Sequence, residues 1–290
     1  VIGNLERDGS RNTIGIGLAV TSTLGFSTLA LWGRFAEQLG FDSSSLNVLR
    51  FGLAGLVLLL LGFGRGANGP KAMRLFALGL WYASNTWFYF QALGRISVSV
   101  ATILVYLAPA SVIVIRWVLG QKPTLRQLQA LGLVTTGLLV VAGLPGPRDA
   151  NALGLILGAL SGVFYGAYMV FTERLLHGVP PLQQTTFGAM GTSLMFVLFA
   201  VMGPGLEAPP NLPVWAVVAG IVIFPTLLAL PTLYGAISRI GATRVSILST
   251  LEPVFAVALA WVFLGESPSL TSLLGGVLIL SGAMLAQAQA

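Results

Sequence analysis

Long apolar stretches alternate with short polar or turn-forming ones along the whole chain. The apolar runs fall at 13–33, 45–63, 72–93, 97–118, 125–143, 152–173, 184–203, 213–236, 242–264 and 270–287. Each is about twenty residues long, which is what a helix rising about 1.5 Å per residue needs to cross a bilayer core of roughly 30 Å. A soluble core of this size would show alternating polar faces instead. The breaks carry turn chemistry: Gly62 to Pro70 is Gly-rich and basic, Leu144-Pro145-Gly146-Pro147 is a strong stop, and His177 to Pro181 and Gly203 to Pro213 are two more. Between the third and fourth runs only Gly94-Arg95 marks a hairpin, which its counterpart Ser238-Arg239-Ile240-Gly241 supports. The first run follows a hydrophilic start, Asn4 to Asn12, and is too long for the apolar region of a signal peptide, so it predicts a retained helix.

That counterpart belongs to an internal repeat. A shift of 144 residues aligns Ala92 with Ala236, Arg95 with Arg239, Ile96 with Ile240, Ile103 with Ile247, Leu107 with Leu251 and Pro109 with Pro253. It continues through Trp117-Val118 and Trp261-Val262; one inserted residue then aligns Gly120 with Gly265, Pro123 with Pro268 and Gly137 with Gly282. Apolar chains match by chance at Leu, Ile and Val, but not in register at Arg, Pro, Trp and Gly. The expected fold is therefore an all-α membrane protein of ten helices in two five-helix repeats, 1–147 and 148–290. Because five is odd, the second repeat enters the membrane from the opposite side. Inverted repeats of this kind place a substrate cavity between them, near the midplane.

Charge tests this topology. Of 15 Lys and Arg, eleven (Arg7, Arg11, Arg65, Lys71, Arg74, Arg116, Lys122, Arg126, Arg174, Arg239 and Arg244) fall on the side of the N-terminus and the even-to-odd connections. Arg34, Arg50, Arg95 and Arg148 fall on the other. The positive-inside rule then puts both termini in the cytoplasm. Composition excludes other classes: the chain is 56% hydrophobic and 8% charged, against roughly 25% charged in soluble proteins. A net charge of +6 raises nucleic acid as a partner, but no dense basic run interleaved with aromatics is present, so none is expected. With no cysteine and one histidine, no HExxH or GxSxG motif and no Asp within a run, neither a metal site, a cofactor nor an intramembrane enzyme is expected. A channel would need a polar pore ring and, often, oligomeric symmetry, whereas a pseudo-symmetric chain acting as a monomer fits a carrier better.

Candidate chemistry concentrates in a few positions. Glu252 is the acidic residue nearest the middle of a run, where an ionisable side chain costs roughly 2.5–3.5 kcal/mol on insertion scales. It fits either a substrate-amine or proton-coupling site, or a carboxyl hydrogen-bonded to backbone freed by Pro253. Pro109 and Pro253 sit mid-run at equivalent places and release the carbonyls of Val105 and Ser249; Pro225 and Pro231 do likewise in the eighth run. Each is a packing kink or a gate hinge. Gly154, Gly158, Gly162 and Gly166 form a stripe at four-residue spacing that lets another helix approach closely. Tyr165 and Tyr168 lie off that stripe. Tyr82, Asn85 and Tyr89 share one helix face, and Tyr106 precedes Pro109. These aromatics either line a cavity or pack the core, and Asn85 needs a partner. No Lys or Arg is placed at mid-run, so an aromatic, weakly polar cavity suits zwitterionic or neutral metabolites better than polyphosphates.

Several of these residues together are familiar. Ser249-Thr250-Leu251-Glu252-Pro253-Val254-Phe255, Trp261-Val262-Phe263-Leu264-Gly265-Glu266, Leu274-Gly275-Gly276 and Leu280-Ser281-Gly282 in the second half resemble the signature of the EamA family of the drug/metabolite transporter superfamily. Arg50-Phe51 and Tyr106-Leu107-Ala108-Pro109 in the first half resemble its other hallmarks; Gln121 departs from a glutamate like Glu266. The resemblance implies ten helices, two inverted repeats and a central cavity opening alternately to each side of the membrane. It further implies amino-acid export by a YddG-like carrier in a bacterial inner membrane, with a carrier of another small metabolite, drug or nucleotide sugar as the alternative.

Overall fold

Many large apolar side chains face outward while small polar ones are buried, unlike the surface of a soluble protein. Trp117, Val118, Trp261, Val262, Val277 and Met284 are exposed, whereas Ser22, Thr23, Ser161, Thr192, Thr226 and Thr250 are buried. A lipid solvent produces this distribution, because helices there associate through small residues and interhelical hydrogen bonds rather than by burying apolar surface. The computed structural model describes residues 2–142, 150–175, 177–202, 205–264 and 269–287. The expected division at 147/148, the Leu144 to Pro147 break and Glu266 lie outside them.

The described chain is helical, in ten spans. The first comprises α1 (Ile2–Ser27) and α2 (Leu29–Gln38), the second α3 (Ser43–Leu60) and the third α4 (Gly69–Leu93). The fourth is broken into α5 (Val98–Val105) and α6 (Ala108–Val118), and the fifth is α7 (Leu125–Ala142). The next two are α8 (Ala152–Leu175) and α9 (Pro181–Val201). The eighth runs through α10 (Leu212–Val222), a π-helical turn (Ile223–Leu228) and the first part of α11 (Ala229–Ser249). The rest of α11 with α12 (Glu252–Leu264) forms the ninth, and α13 (Leu270–Gln287) the tenth. Among the described residues six helical stretches are long and apolar enough to cross a membrane alone.

Polar caps start the helices at the breaks the sequence marks. The side chains of Asp42, Asn68, Ser97 and Asn211 accept hydrogen bonds from the backbone N–H groups of Ser45, Lys71, Val100 and Val214. Within α11 the reversal falls on Gly241, at φ 81° and ψ 159°, a conformation that favours a residue without a β-carbon.

Connections expected on one side of the membrane do meet at one end of the bundle. Arg244 donates to Asn12, the Gln183 amide donates to the Arg65 carbonyl, and Arg116 pairs with Glu173. At the opposite end the Glu207 N–H donates to Ser45. The packing also crosses between halves. A β-carbon at Gly15 of α1 would strike Ile240 and Arg239 of the second half, and one at Gly154 of α8 would strike Ile96 and Arg95 of the first. Likewise α1 packs on α11 and α8 on α4, α5 and α6, while α7 pairs with α13 and α3 with α9.

Pro225 lies within a π-helical turn rather than at a simple kink, and Pro231 follows just beyond it in regular helix. Pro225 cannot donate to the Ile221 carbonyl, and the Thr226 hydroxyl donates to it instead, at 2.9 Å. The neighbouring Ala229 carbonyl accepts from Ser22 at 2.8 Å. Thr226→Val removes the replacement donor while keeping the volume. It also removes the acceptor of Arg50 Nε, so it is expected to cost about 1–3 kcal/mol for buried polar groups left unpaired, read as a lower unfolding temperature in detergent.

Candidate functional site

Both broken spans open the same way. The fourth breaks at Tyr106–Leu107 and the ninth at Thr250–Leu251, so Pro109 and Pro253 lie in the first turns of α6 and α12. The fourth-span break fits because α8 offers no side chain there. A β-carbon at Gly162 would strike the Leu104 and Val105 carbonyl oxygens, and one at Gly166 would meet the Ala108 carbonyl. The glycine stripe thus holds α8 against the break, and its other face turns Tyr165 and Tyr168 inward.

Four of the residues expected to line a cavity gather beside these breaks. The Tyr82 ring stands 6.3 Å from Tyr165 and 5.2 Å from Tyr168, centre to centre. Tyr82, Tyr106 and Tyr165 all lie within electrostatic reach of Glu252. These three tyrosines and Glu252 are half-buried, and the three rings pack against the hydrophobic core. Tyr89 sits at the edge, its hydroxyl 3.3 Å from Thr102 Oγ1. Asn85 finds protein partners: its Oδ1 accepts from Ser161 and its amide donates to the Tyr82 carbonyl, tying α4 to α8. Tyr168 is buried, its hydroxyl 2.5 Å from that of Tyr234 on α11.

Glu252 is the first residue of α12, where the positive end of the helix dipole favours a carboxylate. Among the described residues none donates a hydrogen bond to its carboxylate, and its oxygens are not fully enclosed. The alternative in which this carboxyl satisfies freed backbone is therefore not what the structure holds. Its counterpart under the 144-residue shift is Ala108, so the charge belongs to one half alone.

Arg50 corrects the sequence reading, which counted it among connection cations and placed no Lys or Arg at mid-run. It lies inside the bundle, 5% exposed, eight residues into α3. Its Nε donates to Thr226 Oγ1 at 2.9 Å and its Nη2 to the Pro225 carbonyl at 3.2 Å. The guanidinium also covers the Phe51 ring at 4.4 Å, with Tyr82 and Glu252 as its other polar neighbours. Spacing alone could not have found it. Its tolerance in the membrane depends on the π-helical turn of α10–α11, distant in sequence.

Two polar layers lie between this cluster and one end of the bundle. The Tyr168–Tyr234 pair comes first, and Tyr234 also borders a small cavity of about 170 Å³ with Thr172, Glu173 and Arg239. Beyond it Glu173 of α8 accepts two hydrogen bonds from Arg116 Nη1 of α6, at 2.8 and 3.1 Å, and one from the Ala242 N–H just past Gly241. This cluster borders an end cavity of about 410 Å³ that also holds Lys122, Arg239 and Arg244. No group of three or more His, Cys, Asp or Glu able to hold a metal occurs among the described residues.

The model of the EamA-like transporter family matches residues 13–143 and again 152–287. An uncharacterised transporter of Archaeoglobus fulgidus is 27% identical over 87% of this chain and 89% of its own. A Streptantibioticus cattleyicolor protein described as a probable terminal-alkyne amino-acid exporter is 25% identical over 85% of this chain and 84% of its own. A protein of known crystal structure shares the fold, with a TM-score of 0.79 at 22% identity over 96% of both chains. The matched stretches cover nearly all of the chain and both sides of the cavity, and the relatives are transporters rather than enzymes. The chain is a multi-pass membrane transporter belonging to the EamA-like family.

Proposed function

We propose that this transporter carries neutral and aromatic amino acids across a bacterial inner membrane, in the direction of export, by alternating access. The observation that carries this is the central cluster: half-buried tyrosines around a carboxylate with no hydrogen-bond partner among the described residues, set where two spans break beside prolines. Such a cluster offers apolar surface for a side chain and few fixed charges, which suits a small net-neutral solute. The relative described as an amino-acid exporter supports the same class.

In this reading the two stretches matched by one family model are five-helix repeats of opposite orientation, with both termini cytoplasmic and the monomer as the working unit. The exchanged packing of Gly15 on Ile240 and Gly154 on Ile96 supports the inverted relation. Connections rich in Arg and Lys gather at one end, which supports its cytoplasmic placement. Tyr168–Tyr234 and Arg116–Glu173 then close the cytoplasmic side.

The test is uptake of radiolabelled amino acids into proteoliposomes holding the pure protein, with and without a pH gradient. Saturable uptake with counterflow, competed by neutral and aromatic amino acids, is expected. Competition by nucleotides but not by amino acids would overturn the substrate class, and non-saturating flux without counterflow would indicate a channel.

A further inference from the structure

Arg50 and Glu252 come from different halves of the chain and lie within electrostatic reach of each other without direct contact. No N–O contact within 4.0 Å joins them. Thr226, Pro225 and Tyr82 engage part of the five-donor Arg50 guanidinium, and Glu252 accepts nothing from the described residues. Held near each other without direct contact, the two charges offer a ligand one pole of each sign.

We propose that these two residues are the poles of a zwitterion site, with Arg50 receiving the carboxylate of an α-amino acid and Glu252 its ammonium group. This rests on the amino-acid reading above and gives it an atomic basis. An anion without an amine meets repulsion from Glu252, and a cationic amine without a carboxylate meets repulsion from Arg50. Only a ligand carrying both charges on one carbon satisfies both poles, because each partner left unmatched in a low-dielectric cavity is costly. Tyr82 lies beside Arg50, and Tyr106 and Tyr165 border the remaining space, where the substrate side chain goes. The guanidinium is held by the π-helical turn, so its position is set before substrate arrives.

The site is tested by counterflow in proteoliposomes with three competitors sharing one side chain: phenylalanine, its carboxamide and its deamino acid. Wild type is expected to prefer phenylalanine at least about tenfold over both, since a site built for a polar group rejects the analogue lacking it. Glu252→Gln is expected to lose discrimination against the deamino acid while keeping it against the carboxamide. Arg50→Gln is expected to do the reverse, and Arg50→Lys, which keeps the charge, to retain both preferences at a higher KM. Monodisperse elution in detergent identifies the folded variants, and if Arg50→Gln does not fold, Glu252→Gln and Arg50→Lys decide alone. A folded Glu252→Gln protein with the wild-type ratios overturns the proposal. Wild type that transports phenylalanine and both analogues equally overturns the site but leaves the amino-acid reading. Wild type that transports no amino acid overturns both.

Discussion

Gly79→Val is expected to abolish the folded protein. α4 crosses α9 so closely that a β-carbon at Gly79 would fall on the Gly188 carbonyl group and α-carbon. Three residues further along α9, a β-carbon at Gly191 would strike the Phe76 carbonyl of α4. Both obstacles are backbone, so no side chain can rotate away and the helices themselves must separate. Overpacking a close contact typically costs about 1–3 kcal/mol even where side chains yield. Here the separation also loosens the Thr192 hydroxyl from the Gly79 carbonyl, to which it donates at 2.9 Å. The measurement is the monodisperse fraction after mild detergent extraction, expected to fall at least tenfold. Gly132→Ala is the control, because open space surrounds that position, and it should elute as wild type. A Gly79→Val protein indistinguishable from Gly132→Ala would mean that α4 and α9 do not cross as described.

Glu173→Ala is expected to open the end of the bundle that carries Arg116, Arg239 and Arg244. One carboxylate there ties three elements together: Arg116 from α6, Glu173 itself from α8, and the Ala242 N–H at the renewed start of α11. Both members of the ion pair are about one-quarter exposed, so the pair is worth less than a fully buried one. Losing the pair and the helix cap together should cost about 1–2 kcal/mol, a roughly tenfold shift toward the open form. The chain has no cysteine, so a single Ile237→Cys probe in the small cavity reports opening without background. Maleimide labelling of that probe should accelerate about tenfold on Glu173→Ala. Glu173→Gln, which can still accept from the Ala242 N–H, should give an intermediate rate. An unchanged rate in both would show that this cluster does not hold the end closed.

Much of the fold was legible along the chain. Runs of about twenty apolar residues leave a helix one role, and each described break carries its own turn or cap residue, such as Asp42, Asn68 or Asn211. The equivalence of Pro109 and Pro253 foretold two matching breaks, although each falls three residues before its proline, where the lost hydrogen bond releases the chain. The four-residue glycine spacing on α8 likewise marked a close helix contact before its partner was known.

The site was legible only in part. Glu252 and the tyrosines stand out because polar groups are rare in apolar runs. Periodicity does not say which of them will find protein partners, and Asn85 and Tyr168 do so through Ser161 and Tyr234, each more than sixty residues away in sequence. Arg50 read as a connection cation because its charge is acceptable only beside a carbonyl and a hydroxyl presented by the π-helical turn, 175 and 176 residues along the chain. By itself the sequence determined the helices, their number and the internal repeat, because these follow from local hydrophobicity and from residues matched in register. Tertiary structure alone decided which buried polar groups satisfy one another and which, like Glu252, are left facing open space, because that depends on contacts between spans remote in sequence.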